Sequence, residues 1–153
     1  MAPPIRSEEH RQALLEGVKD GTIDAIITDH APHAEEEKDV EFCCAPNGFS
    51  GLETSLAAVL THTYKTGILT LDEIVNLMSV RPAEIMGVDA GVLEVGKTAD
   101  ITVFSTDEEW TVDRNLFYTK GKTSPFDGMT LTGKAKLTVV DGNIVMKEGV
   151  VTQ

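Results

Sequence analysis

Only one run in the first ninety or so residues reads as a strand. Ile23-Asp24-Ala25-Ile26-Ile27 is apolar and β-branched almost throughout, and it passes directly into Thr28-Asp29-His30-Ala31-Pro32-His33. Near-continuous apolar runs of this kind are strands covered on both faces, as in parallel sheets. The other periodic runs of this half have helical spacing. One strand with three helices cannot close a barrel or an α/β layer. This half of the molecule is therefore expected to be open on its N-terminal side: either the chain is a fragment or another chain completes it.

The helices are well punctuated. Ser7 can cap a helix that runs through Glu8 and Glu9 to about Lys19, with Leu14 and Val18 on one face and Gly21 beyond its end. Ser50-Gly51-Leu52-Glu53 has capping-box form, and Leu52, Leu56, Val59, Leu60 and Thr63 follow as one stripe to about Thr66. Thr70-Leu71-Asp72-Glu73 is a second capping box, ahead of Leu71, Ile74, Val75 and Met78 at helical spacing. Pro82 suits the first turn of a short helix that Gly87 ends. Residues 31–49 carry no hydrophobic period and contain Pro32, Pro46 and Gly48, which marks a long loop of the functional kind.

After Gly91 the character changes. Ala99 to Phe104, Glu109 to Val112 and Lys136 to Val140 are short β-prone runs, and Asp141-Gly142-Asn143 leads into Ile144-Val145-Met146 as a hairpin signal. The expected division is residues 1–90, helices around one parallel-type strand, and residues 91–153, a small, mostly antiparallel β domain.

Composition narrows the class of partner. Lys and Arg number 13 against 25 Asp and Glu, a net charge of −12, which disfavours nucleic acid and anionic membrane surfaces. No apolar stretch approaches the ~20 residues of a membrane span, and Met1 to Arg6 has no apolar leader core. Cys43 and Cys44 are the only cysteines. An adjacent pair is poor disulfide material, and reduced thiols suggest the cytoplasm. They are soft-metal ligands by type, yet no second cysteine cluster accompanies them to make a zinc knuckle. Glu35-Glu36-Glu37 reads as a solvated face.

The chemistry concentrates at Asp29. A carboxylate at the C-terminal end of a strand, where barrel enzymes carry their catalytic groups, can ligate a divalent metal or shuttle a proton from water. The bland alternative is that Asp29 caps the strand end while His30 packs. His33, past the stiffening Pro32, can reach a substrate carboxylate; otherwise it is a solvated loop histidine. His30 suits a role holding Asp29, and His10 and His62 suit the surface or packing. Ala45-Pro46-Asn47-Gly48 is a turn whose N–H groups can face an anionic or amide ligand, or a turn chosen only for its geometry.

Taken in order, these pieces resemble the longer, type I dihydroorotases of the cyclic amidohydrolase group. The resemblance rests on Ala2-Pro3-Pro4-Ile5-Arg6, Asp20-Gly21-Thr22-Ile23-Asp24, Thr28-Asp29-His30-Ala31-Pro32-His33, Glu37-Lys38, Ala45-Pro46-x-Gly48 and Gly51-Leu52-Glu53-Thr54. It continues through Arg81-Pro82-Ala83-Glu84-Ile85-Met86-Gly87, Gly96-Lys97-Thr98-Ala99-Asp100-Ile101, Ser124-Pro125-Phe126-x-Gly128 and Val140-Asp141-Gly142, so it covers essentially the whole chain. Hydantoinases and allantoinases share the Asp-His core and the Gly-Lys-x-Ala-Asp segment. His33 with the Glu-Lys and Gly-Leu-Glu elements points to dihydroorotase.

The resemblance implies an α/β fold: the closing part of an incomplete TIM-like (β/α) barrel followed by a small, partial β-sandwich-like domain. It implies zinc-dependent, reversible cyclisation of N-carbamoyl-L-aspartate to (S)-dihydroorotate in pyrimidine biosynthesis. By position, Asp29 matches the aspartate that binds metal and serves as general base or acid. His33 matches a contact to the substrate carboxylate, and Pro46, Asn47 and Gly48 match a loop whose backbone meets the pyrimidine ring. Ala2 departs from the pattern, since many relatives carry an Asn there that helps hold the substrate.

The family's His-x-His pair, its Arg partner, its bridging acidic or modified-lysine ligand and two further histidines have no counterpart in these residues. A catalytic zinc needs three or more protein ligands, so the chain alone is expected to be inactive. Leu14, Val18, Leu56 and Val59 are expected to lack full burial, which favours a homo-oligomer or completion by a missing N-terminal segment. Other readings are a fragment of a non-catalytic homologue that scaffolds aspartate transcarbamoylase, or of a hydantoinase or allantoinase.

Overall fold

The computed structural model of the chain describes residue 4 and residues 6–152; the expectation for Ala2 lies outside them. Helix α1 (Glu8–Asp20) begins where the cap predicts, with the Ser7 side chain accepting from the His10 amide, and ends at Gly21 in the left-handed conformation, φ 82°. Hydrogen bonds from Arg11 and then Gln12 hold the Glu8 carboxyl down to about 2, so that carboxylate stays ionised well into acid. No residue of α1 is buried, and Leu14 remains 43% exposed.

Ile23 lies in a bend, residues 24–28 have no regular secondary structure, and the run joins no sheet among the described residues, which corrects the expectation of a buried strand. The physical reason is that no neighbouring strand among the described residues offers them a ladder. The Ile26 amide instead donates to the Leu77 carbonyl at 2.9 Å, Ile23 and Ile26 are partly buried, and Ile27 is 78% exposed. The loop that follows contains a single helical turn, α2 (Glu35–Lys38).

A continuous helical rod comes next: a 3₁₀ turn at Leu52–Thr54, α3 (Ser55–Val59) and a π turn at Leu60–Tyr64. In the π turn, the Thr63 hydroxyl donates to the Val59 carbonyl at 2.7 Å, supplying a bond the backbone has given up. The second rod comprises α4 (Leu71–Val75), a π turn at Asn76–Val80 and α5 (Arg81–Met86). Its start carries the reciprocal Thr70–Glu73 capping box, and Gly87 ends it at φ 65°. Pro82 has no N–H to continue an α ladder, and the widened turn just ahead of it accommodates that loss.

Four antiparallel strands then form one meander in the order β1 (Ile101–Thr111), β2 (Thr130–Val140), β3 (Asn143–Lys147) and β4 (Val150–Val151). The β1 runs that look separate in sequence are one strand, interrupted by a bulge between Ser105 and Glu109. Asp141 and Gly142 both take positive φ, 48° and 75°, as the two-residue β2–β3 turn requires. Among the described residues these strands make one sheet, the part of the expected partial sandwich-like domain that they form. The first rod lies against β2: the Thr61 hydroxyl accepts from the Thr132 amide at 2.8 Å, and Leu60 packs on Gly133.

That rod also links two apolar clusters. Ala57 joins Val112, Phe117 and Leu131, while Leu60 joins Leu69, Ile74 and Leu77, with Val18, Ile26, Leu56, Val59 and Phe104 at the edge of the second cluster. Leu60 and Leu131 are wholly buried. The irregular segment at residues 23–28 thus reaches the rod side of the core, and its end is delivered to the loop at residues 29–50.

Candidate active-site loop

Asp29 follows the segment at residues 23–28 with φ 43°, in the left-handed region. Asp is one of the few non-glycine types that adopts it readily. Its carboxylate is exposed and forms no hydrogen bond or ion pair with the described residues. Its oxygens are therefore open to a ligand.

The next residue turns the opposite way. His30 Nδ1 accepts from the backbone amides of Gly51 and Leu52, at 3.1 and 3.3 Å. These are orphan donors at the start of the first rod, so an imidazole from about twenty residues upstream supplies the cap. The Ser50–Glu53 capping box expected from sequence does not form. The Ser50 hydroxyl donates to the Gly121 carbonyl, and the Glu53 carboxylate accepts from the Tyr118 and Thr119 amides, both at 3.0 Å. Longer-range partners outcompete the local ones, because a carboxylate satisfies two loop amides at once.

Between these anchors the loop is tied internally. His33 Nε2 donates to the Asn47 carbonyl at 2.9 Å, and its Nδ1 lies 3.4 Å from Glu37 Oε2. Lys38 Nζ donates to the carbonyls of Pro46 and Gly48, each at 2.6 Å. Gly48 has φ 113°, and a Cβ there would lie 2.7 Å from the Ala31 carbonyl oxygen, so only glycine fits this approach. At the loop's base the Ala31 amide donates to the Phe49 carbonyl at 3.1 Å, and the Ser50 amide donates to Thr123 at 2.8 Å.

Of the residues singled out in sequence, His33, Pro46, Asn47 and Gly48 are thus brought into one network, and Asp29 stands beside its base without a hydrogen bond to it. His10 and His62 are exposed. Lys38 is the organiser that composition concealed: it looks like the solvated end of a charge run, yet it is partly buried and bonded to two carbonyls. Lys38→Met should speed amide exchange across residues 45–49 by about tenfold or more, the equivalent of one charge-assisted hydrogen bond. Hydrogen-exchange mass spectrometry reads this directly, and unchanged protection would show that the loop holds its shape without the ammonium.

The donor set around Asp29 fits one position of a divalent-metal site, a carboxylate with free oxygens, and no more. His30 Nδ1 is taken by backbone amides and both His33 nitrogens face loop partners. The further ligands a catalytic zinc requires are not gathered around Asp29 among the described residues.

The dihydroorotase of Acetivibrio thermocellus is 47% identical over 148 residues, which is 97% of this chain but 35% of that protein. The dihydroorotase of Syntrophus aciditrophicus is 51% identical over 148 residues, 97% of this chain and 34% of its own length. The chain therefore spans about a third of the length of the curated relatives it matches. Among solved structures, an L-hydantoinase (dihydropyrimidinase) from Arthrobacter aurescens superposes with a TM-score of 0.93 at 39% identity, over 100% of this chain and 35% of the other. The model of the amidohydrolase family matches residues 5–145, a span that holds the segment at residues 23–28, Asp29, the tied loop and the sheet up to β3. On that match, the chain belongs to the amidohydrolase family.

Proposed function

We propose that this chain is a C-terminal segment of a dihydroorotase, the zinc-dependent enzyme that interconverts N-carbamoyl-L-aspartate and (S)-dihydroorotate. The observation that carries the reading is 47–51% identity to dihydroorotases along nearly the whole chain, combined with an uncommitted carboxylate at Asp29 beside a tied loop. In this reading residues 1–90 are the closing part of a (β/α) barrel and residues 91–153 a partial β domain. The exposed apolar surface of α1 then meets the rest of the barrel or a second copy. The protein is placed in the cytoplasm, and aspartate transcarbamoylase is a candidate partner.

Asp29 ligates the metal and handles the proton. In the hydrolytic direction it takes a proton from the attacking water and delivers it to the ring nitrogen as the amide C–N bond opens; cyclisation is the reverse. Zinc, when bound, supplies Lewis-acid polarisation and a more acidic water. His33 binds the substrate carboxylate by exchanging one of its present loop contacts for it. The backbone of Pro46, Asn47 and Gly48 borders the ring. With one metal ligand of its own, the chain alone is inactive.

The test is a chimera in which this chain replaces the matching third of the Bacillus subtilis dihydroorotase, 44% identical over 149 residues. Turnover of dihydroorotate is expected from the chimera and none from the 153-residue chain alone. The likeness to an L-hydantoinase favours a second reading, a hydantoin-opening enzyme. A folded, metal-loaded chimera that fails on dihydroorotate, with hydantoin turnover when the chain is set into the hydantoinase instead, would sink the first reading in favour of the second.

A further inference from the structure

The turn that leads into the tied loop carries a group of ligands unrelated to Asp29. Glu41, Cys43 and Cys44 place one carboxylate oxygen and two sulfurs within 4.8 Å of one another, the one such group of three among the described residues. We propose that Glu41, Cys43 and Cys44 form a binding site for a soft divalent metal ion of the zinc and cadmium class, with water as the fourth ligand.

The dimensions fit. Two thiolates at about 2.3 Å from a tetrahedral ion stand about 3.8 Å apart, and a thiolate and a carboxylate oxygen about 3.5 Å apart. The two sulfurs are 3.8 Å apart, and Cys43 Sγ lies 3.9 Å from Glu41 Oε2. The sulfur–sulfur edge already matches, and the carboxylate, exposed and free to turn, closes by a few tenths of an ångström on Cys43 and from within 4.8 Å on Cys44.

The chemistry fits as well. Paired thiolates select soft d¹⁰ ions over magnesium or calcium, which prefer oxygen. All three side chains are exposed, so an ion and its water reach them without rearrangement. Binding releases the two thiol protons to solvent and leaves three ligand charges against two on the ion. Oxidation is the competing fate of paired thiols, but adjacent residues hold their Cα atoms about 3.8 Å apart across a trans peptide. A relaxed disulfide needs at least about 4.4 Å. Coordination keeps the peptide undistorted, whereas a disulfide does not.

Position gives the site a consequence. The amides of Cys44 and Ala45 both donate to the Glu41 carbonyl, at 2.8 and 3.0 Å, and Ala45 continues into the Pro46–Gly48 carbonyls held by Lys38. An ion clamped across Glu41, Cys43 and Cys44 stiffens the turn from which that network starts. This inference stands apart from the catalytic reading, since it uses none of the same residues.

Cadmium titration of the reduced 153-residue chain tests it, because the thiolate-to-metal charge-transfer band in the ultraviolet ignores ions bound to carboxylate alone. The band is expected to saturate at one ion per chain. The Cys43→Ser/Cys44→Ser double variant should lose the band while keeping its far-ultraviolet circular dichroism. Glu41→Gln should keep the band but weaken affinity by at least the roughly tenfold that loss of an outer partner costs a metal site. Absence of the band, saturation at one ion per two chains, a band surviving in the double variant, or unchanged affinity in Glu41→Gln would each overturn the site as proposed.

Discussion

On the role proposed for it, replacing Asp29 by Asn in a complete enzyme carrying this segment should lower kcat for dihydroorotate roughly 10³-fold, the scale of losing a general acid–base, while the melting temperature stays within experimental error. The second half of that expectation comes from the backbone. Asp29 sits at φ 43°, and Asn shares with Asp the ability to rest there, so the substitution removes a charge without straining the chain. Ala at the same position also adds backbone strain, and its lost activity would be ambiguous. Metal content measured alongside kcat separates two roles. A variant that retains metal and loses turnover has lost its proton carrier; one that loses both has lost a ligand. Turnover within a few fold of wild type would remove Asp29 from the mechanism.

The largest expected effect on stability lies where the first helical rod meets the sheet. Gly133 has φ 102°, and a Cβ there would stand 2.4 Å from Leu60 Cδ1 and 3.3 Å from Leu60 Cβ. Leu60 is fully buried, so it has no solvent space to swing into. The carbonyl of Gly133 also accepts from Trp110 Nε1 at 2.9 Å, which fixes the backbone on the other side. Gly133→Ala should therefore cost about 2–3 kcal/mol from overpacking and strained φ together. Leu60→Ala should cost about 2–5 kcal/mol through its cavity. The double variant should cost clearly less than the sum, because the cavity admits the new methyl. Urea denaturation of the chain and its three variants gives the cycle. Strict additivity would show that Leu60 is not what excludes a side chain at Gly133.

What could be read from sequence divides by the range of the interaction. Ser7, Gly21, the Thr70–Glu73 box, Pro82, Gly87 and the Asp141-Gly142 turn all act on backbone within a few residues, and each does in the structure what its pattern predicts. Ser50 and Glu53 have the same local pattern and behave differently. Their partners, Gly121, Tyr118 and Thr119, are more than sixty residues away. Nothing in the local sequence distinguishes the two boxes.

The Ile23–Ile27 run fails as a strand for a related reason. Its apolar pattern reports the surroundings such a segment suits, while a strand exists only when a neighbour accepts its hydrogen bonds. At the site, residue types were legible but their commitments were not. His30 was readable as structural, but not as the cap of a turn beginning at Gly51. Lys38 gave no sign of its carbonyl partners, and Glu41 gave none of its nearness to two thiols.

The bonds from His30 to Gly51 and Leu52, and from Ala31 to Phe49, draw together two points of the chain that enclose residues 32–48. That pinch makes the enclosed stretch a cassette. Its length and composition can drift, or be exchanged for another enzyme's, while the stem that presents Asp29 stays in register with the helical rod. Changes inside it can then alter what the loop presents while the left-handed turn at Asp29 keeps its place.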